Sequence, residues 1–523
     1  MLRGYARIMS GSGNARFSSL QHRVKELNQL PRNPEGEFVL YWMTSCRRFH
    51  HNAALERSIQ IALEMDKPLL VVEAVSIRHR WTSDRILTFF AQGVLDNQAI
   101  FDEKRLTYVP WVETHKETGN GLLRRLSRKS CAVVIDNYPT YLPREIMNRA
   151  SEICYVSLEA VDSNGVLPMD MADDAHMTAY SFRKHMQRNL VEAMATLPIH
   201  DSMASVTKDL RVDGDLVESI FESSGVAMTP FEWIWRVAQG GTIGAEACYP
   251  LSIDHDVTPV KSKKGGRYAA LVKLEKFIED DLDRYDVDRN DVDDSASSGL
   301  SPWFHFGHLS TIEVVLAVLD RSNWDPGMIS LEDTGKGSRI GWWGLSQAHE
   351  SFLDQIITWR ELGYNFANFR EDHMSILSIP EWAQKSLRDH EEDERVQYSF
   401  DDIENARTDD EVWNAAQREL LNSGHIHNYL RMVWGKRILE WAPNPGIAAE
   451  WMIEINDRWA LDGRDPNSYT GIFWVLGRHD RAWGPERPIF GKVRYMSSKN
   501  TRKKLALESY LERWSEDAPM QLR

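Results

Sequence analysis

The spacing of apolar and polar positions changes character once along this chain. From residue 37 to 157, short apolar runs alternate with longer amphipathic stretches. Beyond Ser295 a helical period dominates to the end. In the first region 37–43, 69–74, 107–112, 132–136 and 153–157 read as strands, with 53–65, 84–101, 122–128 and 143–152 as helices between them. Strands separated by helices predict a parallel, doubly wound sheet. No GxGxxG follows the first strand, so a dinucleotide Rossmann site is not indicated. Residues 160–270 are polar with scattered apolar pieces and read as a connector. The acidic stretch 275–294 reads as a solvated helix end and loop, and 325–344, with Trp342-Trp343, as a surface loop. The pattern predicts an α/β domain at 36–160, a connector at 161–270 and an all-α domain at 271–523.

The helical region is most informative at 427–441. Leu430, Trp434, Ile438 and Trp441 recur at three- or four-residue spacing and form one apolar face. Asn428, Arg431, Met432 and Gly435 share another. A stripe of hydrogen-bonding groups ending in glycine suits a flat polar ligand, because Gly435 lacks the Cβ that would hold a ring away. A second helix follows Pro443 and Pro445 and runs to Trp459. A polar turn at 462–467 then leads into an aromatic segment ending at Trp474.

Composition narrows the class. With 523 residues, 42% of them hydrophobic, the chain is long enough for two domains, and no apolar run has the length of a membrane span. Cys46, Cys131, Cys154 and Cys248 show no CxxC and no metal-ligand spacing, so reduced thiols and no metal are expected. Residues 1–35 are rich in Ser, Gly and Arg, lack a signal-peptide core and are expected to be disordered. Met1 to Lys25 carries no acid, which fits a transit peptide as well as an extended start with Met9 as the true first residue. The net charge of −15 argues against a nucleic-acid partner only if read globally. Between 471 and 504 nine Lys/Arg face two acids, interleaved with Trp474, Trp483, Phe490 and Tyr495. Such a segment fits a phosphate-gripping surface better than a plain solvated face.

WNAAQ at 413–417, HNYLRMVWGKRILEW at 427–441, LDGRDPNSYTGIFW at 461–474 and GKVRYM at 491–496 closely resemble class II DNA photolyases of the photolyase/cryptochrome family. The resemblance runs from about Glu37 onward and is strongest after Leu300. It implies that the all-α domain binds FAD. Ser297, Ser298, Gly299, Leu300 and Ser301 match the phosphate-binding segment, Tyr285 an upstream flavin contact, and Arg360 a phosphate-side contact with Glu361 as its candidate partner. Asn428 belongs to the same lining. Arg431 and Asp462 match the ion pair beside the isoalloxazine ring, and Asn456 the asparagine facing its central nitrogen. Trp434, Trp413 and Trp441 match an electron relay, Trp434 innermost. The α/β domain would house an antenna chromophore of deazaflavin or folate type.

For substrate, the resemblance implies DNA carrying a cyclobutane pyrimidine dimer flipped out of the duplex. Trp359 and Trp474 match the stacking aromatics, Asn428 and Met432 the lesion contacts. Neither of these two is histidine, which favours cyclobutane-dimer repair over (6-4) repair. Arg481, Trp483, Lys492 and Arg494 match the duplex-gripping segment, where the run 483–488 is one residue longer than usual. Gln355 departs from the family, which places glutamate there to hydrogen-bond the dimer. Glutamine can still donate through its NH₂ but supplies no proton. Asp354 points about 100° away around a helix and is a poor substitute. Gln355 therefore leaves open a cryptochrome-like photoreceptor without repair, and a third reading is a non-enzymatic DNA-binding protein. A monomer in the cytoplasm, nucleoid-associated in a bacterium, is expected.

Overall fold

The computed structural model describes residues 17–113, 121–223, 225–240 and 253–516. Strands β1 (Val24–Glu26), β2 (Phe38–Met43), β3 (Leu69–Val75), β4 (Thr107–Val112), β5 (Ser130–Asp136) and β6 (Leu158–Val161) form one sheet in the order β1-β6-β5-β2-β3-β4. β2 to β6 run parallel, and β1 pairs antiparallel with β6. Helices α1 (Ala53–Glu64), α2 (Asp84–Glu103), α3 (Leu122–Lys129) and α4 (Tyr141–Ile153) alternate with the strands. Every residue of β2 is buried, which is why its run is continuously apolar and not alternating. Asn52 and Ser83 start α1 and α2 by accepting from the Leu55 and Ile86 amides, as N-caps do.

Two elements depart from the sequence pattern. The last strand lies at Leu158–Val161 and not at 153–157, because Ile153 ends α4 and Glu159 interrupts the apolar run. Glu159 is tolerated there because Arg57 meets it with bonds of 2.6 and 3.0 Å. β1 falls inside the stretch read as disordered; residues 1–16 of that stretch lie outside the described residues. Arg23, just before β1, is 1% exposed and donates to the carbonyls of Asp162, Gly165 and Val166. That buried side chain fixes the segment in place.

The connector carries helices α5 (Ala179–Ala195), α6 (Gly214–Ser223) and α7 (Phe231–Ala238). The helical part follows with α8 (Arg267–Lys276), α9 (Tyr285–Asp288), α10 (Ser301–His305), α11 (Thr311–Arg321) and α12 (Gln347–Leu353). A π-helical turn, Asp354–Trp359, leads straight into α13 (Arg360–Phe369). Then come α14 (Glu381–Asp389), α15 (Phe400–Glu404), α16 (Glu411–Ser423), α17 (Asn428–Trp441), α18 (Pro445–Trp459), α19 (Pro466–Val475), α20 (Ser498–Lys504) and α21 (Glu508–Arg513). The 325–344 insertion is a loop, yet Trp342 and Trp343 are buried, and Trp324 Nε1 donates to the Trp343 carbonyl at 2.9 Å. Among the described residues, no helix is long and apolar enough to cross a membrane. Cys46, Cys131 and Cys154 are free and buried; Cys248 lies outside the described residues.

The helices meet the carboxyl edge of the sheet through a turn at Gly307. Its φ is +74°, and a Cβ there would stand 1.9 Å from the Ser45 carbonyl oxygen after β2. Arg48 donates across the boundary to the Gly307 carbonyl at 3.2 Å and to Ser163 at 2.8 Å. Gly307→Ala is therefore expected to destabilise the protein by about 3 kcal/mol or more, since backbone must move on both sides of the contact. Urea unfolding of the two proteins measures this.

Candidate active site

The site begins with a carboxylate shared by distant segments. Asp462, in the turn after α18, accepts from the Ser301 hydroxyl at 2.7 Å and from Arg431 Nη2 at 3.0 Å. α10, α17 and the 462–467 turn are thus joined at one point. Burial opposes the charged form, yet the Arg431 guanidinium and the Ser301 hydroxyl together hold the Asp462 carboxyl well below the usual carboxylate range. His425 was not evident from the sequence. Burial, with Lys263 and Arg431 nearby, pushes its imidazole down to about 3, so it stays neutral. Asn456 is buried on α18 and donates to Asp457 Oδ1 at 3.0 Å, inside the helix and not as its cap.

The serine segment fits a phosphate. Among the described residues, no acceptor within the protein meets the backbone N–H of Ser298, Gly299, Leu300 or Ser301. Gly299 is left-handed at φ +62°, and a Cβ there would sit 3.4 Å from Lys273 Cε. Unmatched donors beside a lysine suit a diphosphate. Tyr285 is buried edge-on to Phe352, with the Arg289 guanidinium 5.6 Å from its ring. These residues could hold FAD, with Arg431 and Asp462 at the ring end.

Three expected contacts fall elsewhere. Gly435 serves helix packing: an added Cβ would meet Val475 Cγ2 at 2.6 Å and Met452 Sδ at 3.1 Å, so the missing side chain admits α19 and α18 and not a ligand. Arg360 donates to the Asn164 carbonyl at 2.7 Å and to Tyr364 OH at 2.9 Å, which commits it to the boundary with the sheet. Glu361 acts on Arg360 through its charge and not through a hydrogen bond, because its carboxylate accepts from the Val166 and Leu167 amides at 2.7 and 3.0 Å.

The three tryptophans form one buried group. Trp413 Nε1 donates to the Trp434 carbonyl at 3.0 Å, and the Trp413 and Trp441 rings lie 5.2 Å apart, edge to face. Trp434 Nε1 donates to Gln417 Oε1 at 2.8 Å. The run continues to half-exposed Tyr398, 5.2 Å from Trp441, a residue the sequence reading missed because it lies in an unpatterned loop just before α15.

α13 packs on α19 at Gly363, where a Cβ would meet Asn467 and Thr470. α19 carries Trp474 and α13 follows Trp359. Gln355 and Trp359 share the π-turn, which has about 4.4 residues per turn, so positions four apart nearly eclipse. Both are half-buried. Asn428 is exposed and Met432 half-buried on α17, and one turn further on the same stripe Lys436 is fully buried. Lys436 Nζ donates to the Val475 carbonyl at 2.5 Å and lies 5.4 Å from the Trp474 ring. Its i+8 spacing from Asn428 was the available signal.

The basic segment stacks in alternation. Arg494 stands 5.3 Å from the Trp474 ring and 4.1 Å from Trp483, and Arg481 lies 4.5 Å from Trp483 on the surface. Arg494 also makes two bonds to Asp480, at 2.8 and 3.0 Å, so it supports the two indoles more than it offers a free charge. Arg481 and Lys492 are exposed, Lys492 beside Glu486 at 3.3 Å.

Burial pushes the Lys436 ammonium down from 10.5 to about 7, Asp480 partly opposing and Arg494 assisting. The unfolded chain thus binds more protons than the folded one between those values. Stability should rise with pH across that window and carry a constant penalty below it. Lys436→Met keeps the apolar stem and should abolish the rise, on the order of 2–4 kcal/mol, in urea unfolding followed from about pH 6 to 10.

Compared with models of known protein families, the chain matches none. Among curated proteins it is similar to the deoxyribodipyrimidine photo-lyase of Methanothermobacter thermautotrophicus, 30% identical over 94% of this chain and 97% of that one. The rice protein of the same name is 28% identical over 94% and 89%, and that of Potorous tridactylus 36% over 50% and 45%. Among solved structures, an Agrobacterium tumefaciens class III photolyase superposes at TM-score 0.60 with 14% identity, covering 92% of this chain and 86% of its own. A Synechocystis cryptochrome superposes at 0.61, also with 14% identity, covering 91% and 88%. With 30% identity sustained over almost the whole of both sequences, this chain belongs to the photolyase/cryptochrome family.

Proposed function

We propose that this chain is a light-driven cyclobutane pyrimidine dimer photolyase acting as a monomer on damaged DNA. The observation that carries the reading is the cation–aromatic stack from Lys436 through Trp474, Arg494 and Trp483 to Arg481, which joins a half-buried indole to a basic outer rim. A flipped pyrimidine dimer needs both an aromatic platform and a phosphate grip. Trp359 and Trp474 would stack the dimer, with Asn428, Met432 and Gln355 at its edges. Arg481 and Lys492 would hold the backbone.

Ser297 to Ser301, Tyr285, Arg431, Asn456 and Asp462 would hold FAD, which when bound and reduced supplies the photoexcited electron that ring splitting requires. Splitting the two carbon–carbon bonds that join the pyrimidines would be redox-neutral overall, the electron being borrowed from that group and returned to it. Gln355 NH₂ would donate to a pyrimidine carbonyl as negative charge develops on it. Trp434, Trp413 and Trp441 would pass electrons inward from solvent.

Gln355 favours the alternative of a photoreceptor without repair. Illuminating the reduced protein with a dimer-containing oligonucleotide decides between them: restored thymines are expected, and none would move the chain to the photoreceptor reading. Gln355→Glu should raise the repair rate about tenfold by offering a proton and a tunable charge. Trp434→Phe should abolish light-driven reduction of the oxidised cofactor while leaving repair by pre-reduced protein within a factor of about two.

A further inference from the structure

The π-turn at Asp354–Trp359 is an uncommon conformation inserted between two α-helices, and such turns persist where surroundings over-determine them. Helix α5 of the connector meets both of its ends. Arg183 Nε and Nη2 donate to the two oxygens of Asp354 at 2.7 and 3.0 Å, the side chains being 10% and 4% exposed. At the other end Trp359 packs against Ala179 and Phe182, one turn or less from Arg183. The 325–344 insertion backs the same helix. The Gly337 carbonyl accepts from Arg183 Nη1 at 3.4 Å, its amide donates to Gln187 Oε1 at 2.8 Å, and Gln187 Nε2 donates to Ser338 at 3.0 Å. A buried pair of this kind adds little net stability, so its value lies in geometry.

We propose that Arg183 is a positioning residue of the lesion mouth. By gripping Asp354 while its own helix grips Trp359, it fixes the length of the π-turn and so aims Gln355 and Trp359 at one point. If the turn relaxed to an α-helix, residue 355 would swing by roughly 70° relative to 359, from about 33° on one side of it to about 40° on the other, and the two side chains would lose their common aim. The bidentate geometry requires the guanidinium fork, which lysine lacks. Asp354 is thereby spent on the brace and is not free to stand in for the missing glutamate at 355. The lesion-binding part of this inference rests on the repair reading above; the brace itself does not.

The test uses full-length holoprotein carrying Arg183→Gln, Arg183→Lys or Asp354→Asn. In Arg183→Gln, amide hydrogen exchange across 354–359 should speed by about tenfold or more, with Arg183→Lys intermediate. Affinity for a dimer-containing oligonucleotide should fall about tenfold. FAD content and light-driven cofactor reduction should match wild type, which a general loss of stability would not allow. Unchanged exchange at 354–359 in either neutralised variant would overturn the brace. So would a fall in affinity that tracks lost FAD. A wild-type protein that binds no dimer would instead sink the repair reading, while the exchange measurement still decides the role of Arg183.

Discussion

The arrangement depends on one buried carboxylate. Asp462 takes a hydroxyl from α10 and a guanidinium from α17, so three stretches far apart in sequence are held at one point. A half-buried arginine left without a partner would be costly, and so would the acid. Each is satisfied only when the serine turn, α17 and the 462–467 turn assemble together. The candidate cofactor site and the helical fold are therefore one problem, solved by the same contact.

The turn that carries Asp462 distributes its polar groups in three directions. Arg464 turns back to Asp457, its amide donating to Oδ1 at 2.8 Å. Asp465 caps α19 through the Asn467 amide and accepts at 3.0 Å from both Tyr138, beyond β5, and Tyr364 on α13. A few residues thus link the ring end of the candidate site to the carboxyl edge of the sheet. Buried networks of this kind hold well only when every member is satisfied. The packing of Gly307 on Ser45 leaves the two layers no room to slide.

Charge is organised locally against an acidic background. The chain is −15 overall, yet the segment after α19 presents Arg481 and Lys492 to solvent while Asp480 immobilises Arg494 between two indoles. Desolvated cations on aromatic faces gain more than exposed ones, so the stack stiffens the mouth as well as colouring its potential. The exposed charges at its end remain available for phosphate.

The sequence by itself determined the doubly wound sheet and the helical second half, because burial on both faces or on one stripe leaves a periodic trace that needs no tertiary information. It also marked Arg431, Asp462, the serine turn and the three tryptophans, through motif resemblance more than through period. Only the tertiary structure decided what Gly435, Arg360 and Glu361 do, since glycine spacing and a charged dipeptide say nothing about which helix or carbonyl comes alongside. β6 was displaced because Glu159 reads as a break until Arg57 is beside it. The π-turn and its brace left no trace in the hydrophobic pattern. An extra residue in a helical turn shifts the facing of a few side chains, and the partner that holds it comes from a helix some 170 residues away.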